Sequence, residues 1–139
     1  FYPEQLPAVL EFVPQFPDQS FVLDHIAKPH IKDGTIEPWA TQITQLAEFP
    51  NVHCKISGMV TEADWSNWES ENFAPYLDVV LNAFGPERLM IGSDWPVCRL
   101  VGEYTPVMQL AIDFMQTHVP EHMDDFLGGN ALAFYGVTA

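Results

Sequence analysis

Basic side chains are scarce: five Lys and Arg stand against nineteen Asp and Glu in 139 residues, a formal charge of −14. Nucleic-acid backbones are held by clustered Lys and Arg, so this balance argues against nucleic-acid binding. It bears on solubility and not on fold. Cysteine is scarce too. Cys54 and Cys98 are too few for a disulfide framework, and neither sits in a C-x-x-C pattern. A reducing cytoplasm is the simplest compartment for such a chain. No apolar run approaches the ~20 residues a membrane helix needs, so no membrane partner is expected. No low-complexity stretch or linker divides the chain, and residues 1–139 read as one partial domain. The opening Phe1-Tyr2-Pro3 carries no initiator Met, basic n-region or signal-like stretch, and reads as an excerpt of a longer protein or a processed chain.

What is present is an alternation of helical and strand patterns. Leu6, Val9, Leu10 and Val13 recur at i, i+3, i+4 and i+7, which predicts a helix over 4–13 ended by Pro14 and Pro17. Further helices are expected over 37–49, 73–84, 105–116 and 131–135. Thr105 is read as N-cap, with Pro106 at the first helical position. Between them lie three strand candidates: the continuous apolar runs Phe21-Val22-Leu23 and Leu89-Met90-Ile91, and the segment Val52-His53-Cys54-Lys55-Ile56. Runs that are continuous rather than alternating suit strands buried on both faces. Strand starts at 21, 52 and 89 are about one βα unit apart. Such alternation implies a parallel sheet with right-handed crossovers, of either a doubly wound or a barrel fold.

The strand ends carry the polar residues. The first run stops at Asp24-His25, followed by Ile26-Ala27-Lys28-Pro29, where Pro29 predicts an extended backbone at Lys28. The second stops at Ser57-Gly58, and the third at Gly92-Ser93-Asp94 before Trp95-Pro96. Ligands gather at the carboxyl ends of parallel strands, so Asp94 stands where chemistry is placed. Thr61 to Asn72, acidic and holding Trp65 and Trp68, reads as a loop or lid on that face.

These residues together resemble the amidohydrolase-2 family. Asp24-His25-Ile26-Ala27-Lys28-Pro29 is similar to D-H-x-G-K-P, Lys55-Ile56-Ser57-Gly58 to K-x-S-G, and Phe84 to Pro96 to F-G-x-x-R-x-x-x-G-S-D-W-P. Gly129-Asn130-Ala131 with Phe134-Tyr135 resembles the family's last barrel helix. Ala27 departs from the family's usual Gly, a change expected to stiffen the loop after His25. The H-x-H pair of the family's first strand is absent. The resemblance therefore implies an α/β fold, the C-terminal portion of a (β/α)8 barrel. Three to four parallel strands would alternate with helices lying on one side.

The resemblance implies a hydrolase that opens the lactone ring of a sugar acid or related small carboxylic acid. Asp94 is then the general base or a metal ligand, and His25 a metal ligand or carbonyl polariser. Lys55, Ser57, Lys28 and Trp95 are the substrate-binding candidates, with Trp65 and Trp68 as further flat surfaces for sugar rings. Lys55 lies mid-strand, and sequence alone leaves open which face it takes. Of the two readings of Lys28, a loop ion-pair partner comes before a substrate contact. A divalent metal, Zn or Mn, held by His25 and Asp94, is the one cofactor the resemblance implies, and the need for it stays open. The broader superfamily is largely metal-dependent, while this branch is similar to enzymes that work without one. His30, His53, His118 and His122 are expected in surface or structural roles, Trp39 in a helix core, and both thiols inert. A decarboxylase of the same superfamily and an inactive fragment are the alternatives. The chain by itself is expected to hydrolyse nothing and to self-associate, because Phe21, Leu23 and Met90 would lose an opposing wall.

Overall fold

The computed structural model describes residues 1–138. The three strand candidates form the strands β1 (Phe21–Leu23), β2 (Val52–Ile56) and β3 (Leu89–Ile91), with the bounds read from the sequence. They pair in parallel in the order β1-β2-β3, with Leu23 opposite Cys54 and Lys55 opposite Met90.

Among the described residues five α-helices accompany them: α1 (Leu6–Phe12), α2 (Trp39–Ala47), α3 (Ala74–Phe84), α4 (Tyr104–His118) and α5 (Asn130–Tyr135). The α4 helix starts earlier than its proline suggested, with Glu103 and not Thr105 as N-cap. Pro106 is tolerated inside the first turn because none of the first N–H groups has an intrahelical acceptor. No helix among the described residues is long and apolar enough to cross a membrane.

Alternation along β2 separates two faces. Val52, Cys54 and Ile56 are buried, while His53 and Lys55 are only partly covered. The buried set joins Leu6, Ile43, Leu77, Val80, Leu89 and Met115 in one apolar core beneath the helices. Both Cys54 and Cys98 lie in it, fully buried. Burial pushes the Cys54 thiol well up, so its nucleophilic thiolate is suppressed. Neither thiol should react with an aromatic disulfide reagent in the native protein, and both should on unfolding. Rapid native labelling, followed by absorbance, would contradict this packing.

The opposite face is not bare. Residues 125–135, a π-helical turn (Asp125–Gly129) running into α5, close against β3. Phe134 packs on His53 with ring centroids 4.9 Å apart. The expectation that helices cover one side only therefore needs correction at the C-terminal helix. Likewise Leu23 and Met90 are buried, at 2% and 1% exposure, against the expectation that they lie open.

Two polar side chains tie the amino-terminal edge of β3 to its surroundings. Asn130 Nδ2 donates to the carbonyls of Pro86 and Leu89, both at 2.8 Å. Arg88 Nε donates to Phe84 O at 3.0 Å, and Nη1 to Phe49 O and Val52 O at 3.1 and 3.2 Å. One guanidinium thus satisfies carbonyls at the ends of two helices and the start of a strand. Partial burial pulls its pKa down without removing its charge. Arg88→Ala should destabilise the protein by about 3 kcal/mol, since charge-assisted bonds are lost and carbonyls stay partly buried. Thermal unfolding with Tm lowered by less than ~2 °C would contradict this role.

Candidate active site

The first wall of the site is a left-handed turn. His25, Ile26, Ala27 and Lys28 have φ of 56°, 45°, 58° and 49° in succession. Each such L-residue costs roughly 1–2 kcal/mol, so the turn persists only where its surroundings over-determine it. Ile26 and Ala27 are wholly buried in the core. Buried Trp39 Nε1 donates to Ile26 O at 2.8 Å, and Lys28 N donates to His25 O at 2.8 Å. Pro29 does push Lys28 out of the right-handed helical region, but into the left-handed one and not the expected extended one. The usual Gly at position 27 now has a reason: the backbone there is left-handed. The buried methyl of Ala27 returns about 0.8 kcal/mol, offsetting part of the strain.

That turn delivers His25 to Ser57 and Asp94. His25 Nδ1 and Ser57 Oγ share a hydrogen bond of 2.8 Å. His25 Nε2 lies 3.7 Å from Asp94 Oδ1, with the two side chains 29% and 14% exposed. Asp94 itself has φ 55°, a left-handed conformation that Asp tolerates better than most residues. Two glycines make the room. A Cβ at Gly58, where φ is +60°, would meet His25 Nδ1 at 2.7 Å and Cγ at 2.8 Å. A Cβ at Gly92 would meet Ser57 Cβ at 3.0 Å. These glycines were not singled out from the sequence, although their place beside Ser57 and Asp94 in the strand-end motifs was the available signal.

The remaining candidates separate. Lys55 lies on the face opposite the core and pairs with Asp24 Oδ1 at 2.9 Å, 5.4 Å from the Tyr135 ring. Partial burial pulls its ammonium down, but bonding to Tyr135 and Asp24 outweighs this and holds it above the usual lysine value. Lys28 Nζ is bound to Glu62 Oε1 at 2.7 Å, so the ion-pair reading describes its contact. Trp95 is 67% exposed beside Asp94. Trp65 is also exposed, and lines a separate cleft of about 480 Å³ between residues 30–33 and 61–66. Trp68 instead meets Phe73 edge-on and packs on the core. His30 pairs with Glu4, and His118 stacks on Phe114. Burial, and then the charge of Arg88, lowers the pKa of His53.

Among the described residues no group of three His, Cys, Asp or Glu side chains converges as a metal cage. His25 Nε2 and Asp94 Oδ1 nevertheless suit two positions of one. Their 3.7 Å separation would let both reach a shared cation, and a hydrogen bond such as that of Ser57 to Nδ1 is the kind that orients an imidazole for such a role.

The amidohydrolase family model matches residues 2–137, and the chain belongs to that family. It is 39% identical over 142 residues to an L-fucono-1,5-lactonase of Burkholderia ambifaria, covering 97% of this chain and 48% of that protein. It is 36% identical to an L-fucono-1,5-lactonase of Burkholderia multivorans, covering 98% of this chain and 49% of that protein. An amidohydrolase crystal structure from Burkholderia multivorans with bound zinc superposes with a TM-score of 0.92 at 36% identity. That match covers 99% of this chain and 51% of that one. The chain thus spans about half the length of the relatives it matches. Its three parallel strands are the C-terminal portion of a (β/α)8 barrel.

Proposed function

We propose that the enzyme this chain contributes to opens the lactone ring of a sugar acid or a related small carboxylic acid. The observation that carries the reading is the His25–Asp94 pair, 3.7 Å apart at the carboxyl ends of β1 and β3. The lactonase names of the relatives support the substrate class.

Asp94 accepts a proton from the attacking water, since an ionised carboxylate is an adequate base when the water is acidified. His25, oriented by Ser57, presents Nε2 toward the reacting centre. A divalent metal, Zn²⁺ or Mn²⁺, held by His25 and Asp94 together with ligands from elsewhere in the barrel, would lower the water's pKa and polarise the carbonyl. Lys55 retains ammonium protons beyond the one given to Asp24, and it and Trp95 are the proposed contacts to the substrate's carboxylate or hydroxyls and ring. Ser57 acts mainly through His25. Lys28 serves the wall of the site more than the substrate.

The test is to assay the intact enzyme on a panel of sugar lactones by acid release, before and after chelation and with Zn²⁺ or Mn²⁺ restored. Turnover with kcat/KM above ~10⁴ M⁻¹s⁻¹ on at least one lactone is expected. Release of CO₂ from an unsaturated acid, with no lactone opened, would replace this reading by a decarboxylase.

A further inference from the structure

The turn at 25–28 is held in a conformation that its own residues disfavour, and it carries the imidazole of the site. Four successive side chains other than glycine sit at positive φ. An interior contact that meets this turn's polar backbone is the indole of Trp39, whose Nε1 donates to Ile26 O at 2.8 Å. Trp39 is 2% exposed at the first turn of α2, its ring 5.4 Å from that of Tyr76 and tilted 59° to it. Tyr76 in turn donates its hydroxyl to Thr35 O at 3.2 Å, bracing the loop that leaves the turn. The outer contact is the Lys28–Glu62 pair at 2.7 Å.

We infer that Trp39 is a positioning residue for His25: its indole N–H locks the left-handed turn in the one conformation that aims the imidazole at Asp94. Without that donor the Ile26 carbonyl loses its buried partner, and the turn relaxes toward ordinary backbone angles. A relaxed turn cannot keep Nδ1 on Ser57 and Nε2 on Asp94 together, because both distances are set by the same Cα. The ring of Trp39 also fills core volume, but that task needs only an aromatic side chain. The N–H is what phenylalanine lacks.

This inference rests on the reading of His25 as an active-site group, and its test has an arm that does not. In the intact enzyme, Trp39→Phe should lower kcat by ~10–100-fold with KM changed less than about threefold, as expected for a misaimed group. Adding Ala27→Gly, which removes the Cβ at φ 58°, should recover at least about tenfold of that loss, since glycine adopts the turn without a clamp. Nitrogen-detected NMR of the His25 imidazole, recorded without substrate, should show the hydrogen-bonded Nδ1 signature in the wild type and its loss in Trp39→Phe. Should Trp39→Phe fail to fold, Lys28→Met loosens the same turn from its solvent side and should change the imidazole signals in the same direction. A folded Trp39→Phe enzyme with an unchanged His25 spectrum overturns the inference, as does a kcat loss that Ala27→Gly does not recover. A wild type that opens no lactone removes the proposed reaction and leaves the imidazole comparison to decide the inference alone.

Discussion

Replacing Asp94 by Asn is expected to lower kcat of the intact enzyme about 10³-fold while KM moves by less than about threefold. The amide has nearly the shape of the carboxylate but cannot take a proton from water. The backbone should not object, because Asn tolerates the left-handed conformation recorded at φ 55°. The bond that organises the following turn runs from Cys98 N to Asp94 O at 2.9 Å, a main-chain contact the substitution leaves intact. The side chain is mostly buried with His25 Nε2 at 3.7 Å, so fold and chemistry separate cleanly here. Steady-state kinetics beside a thermal melt checks both halves. Undiminished kcat in a folded Asp94→Asn enzyme would take the proton-transfer role away from this residue.

The second large effect is expected at a residue with no functional group. Gly58→Ala should lower kcat about 10²-fold and stability by roughly 1–2 kcal/mol. Two causes act together. Position 58 has φ +60°, and a Cβ there would stand 2.7 Å from His25 Nδ1, closer than real Cβ contacts allow. The imidazole sits on a turn with no slack, so it must leave Ser57 to make room. Gly34 provides the control, because it has nearly the same φ, +64°, and nothing within 4 Å of its would-be Cβ. Gly34→Ala should therefore cost a similar backbone strain and leave kcat unchanged. Equal activity loss in the two variants would show that backbone strain, and not contact with His25, is what matters at Gly58.

Much of the site was legible because polar residues at strand ends stand out against continuous apolar runs. Leu23 before Asp24-His25, and Ile91 before Gly92-Ser93-Asp94, mark where burial stops and a pocket begins. The contacts made by Lys28 were less legible. Its pairing with Glu62 spans 34 positions, and nothing local distinguishes a lysine that meets substrate from one that meets a loop carboxylate. Trp68 shows the same limit. In a polar stretch it resembles Trp65, yet it turns into the core against Phe73 while Trp65 stays exposed. Arg88 drew attention only as part of a motif, because its acceptors are carbonyls, which no side-chain pattern reveals.

The sequence by itself determined the order and bounds of the three strands, the helical character of the segments between them, and the family. Those follow from local causes: apolar periodicity, Pro and Gly punctuation, and motifs of fixed spacing. Only the tertiary structure decided that Lys55 faces away from the core, that α5 crosses to the same face, and that His25 reaches Asp94 from a left-handed turn. Each of these depends on contacts between residues far apart in the chain. A strand's face is chosen by what packs on it, and a strained turn survives only where distant side chains hold it.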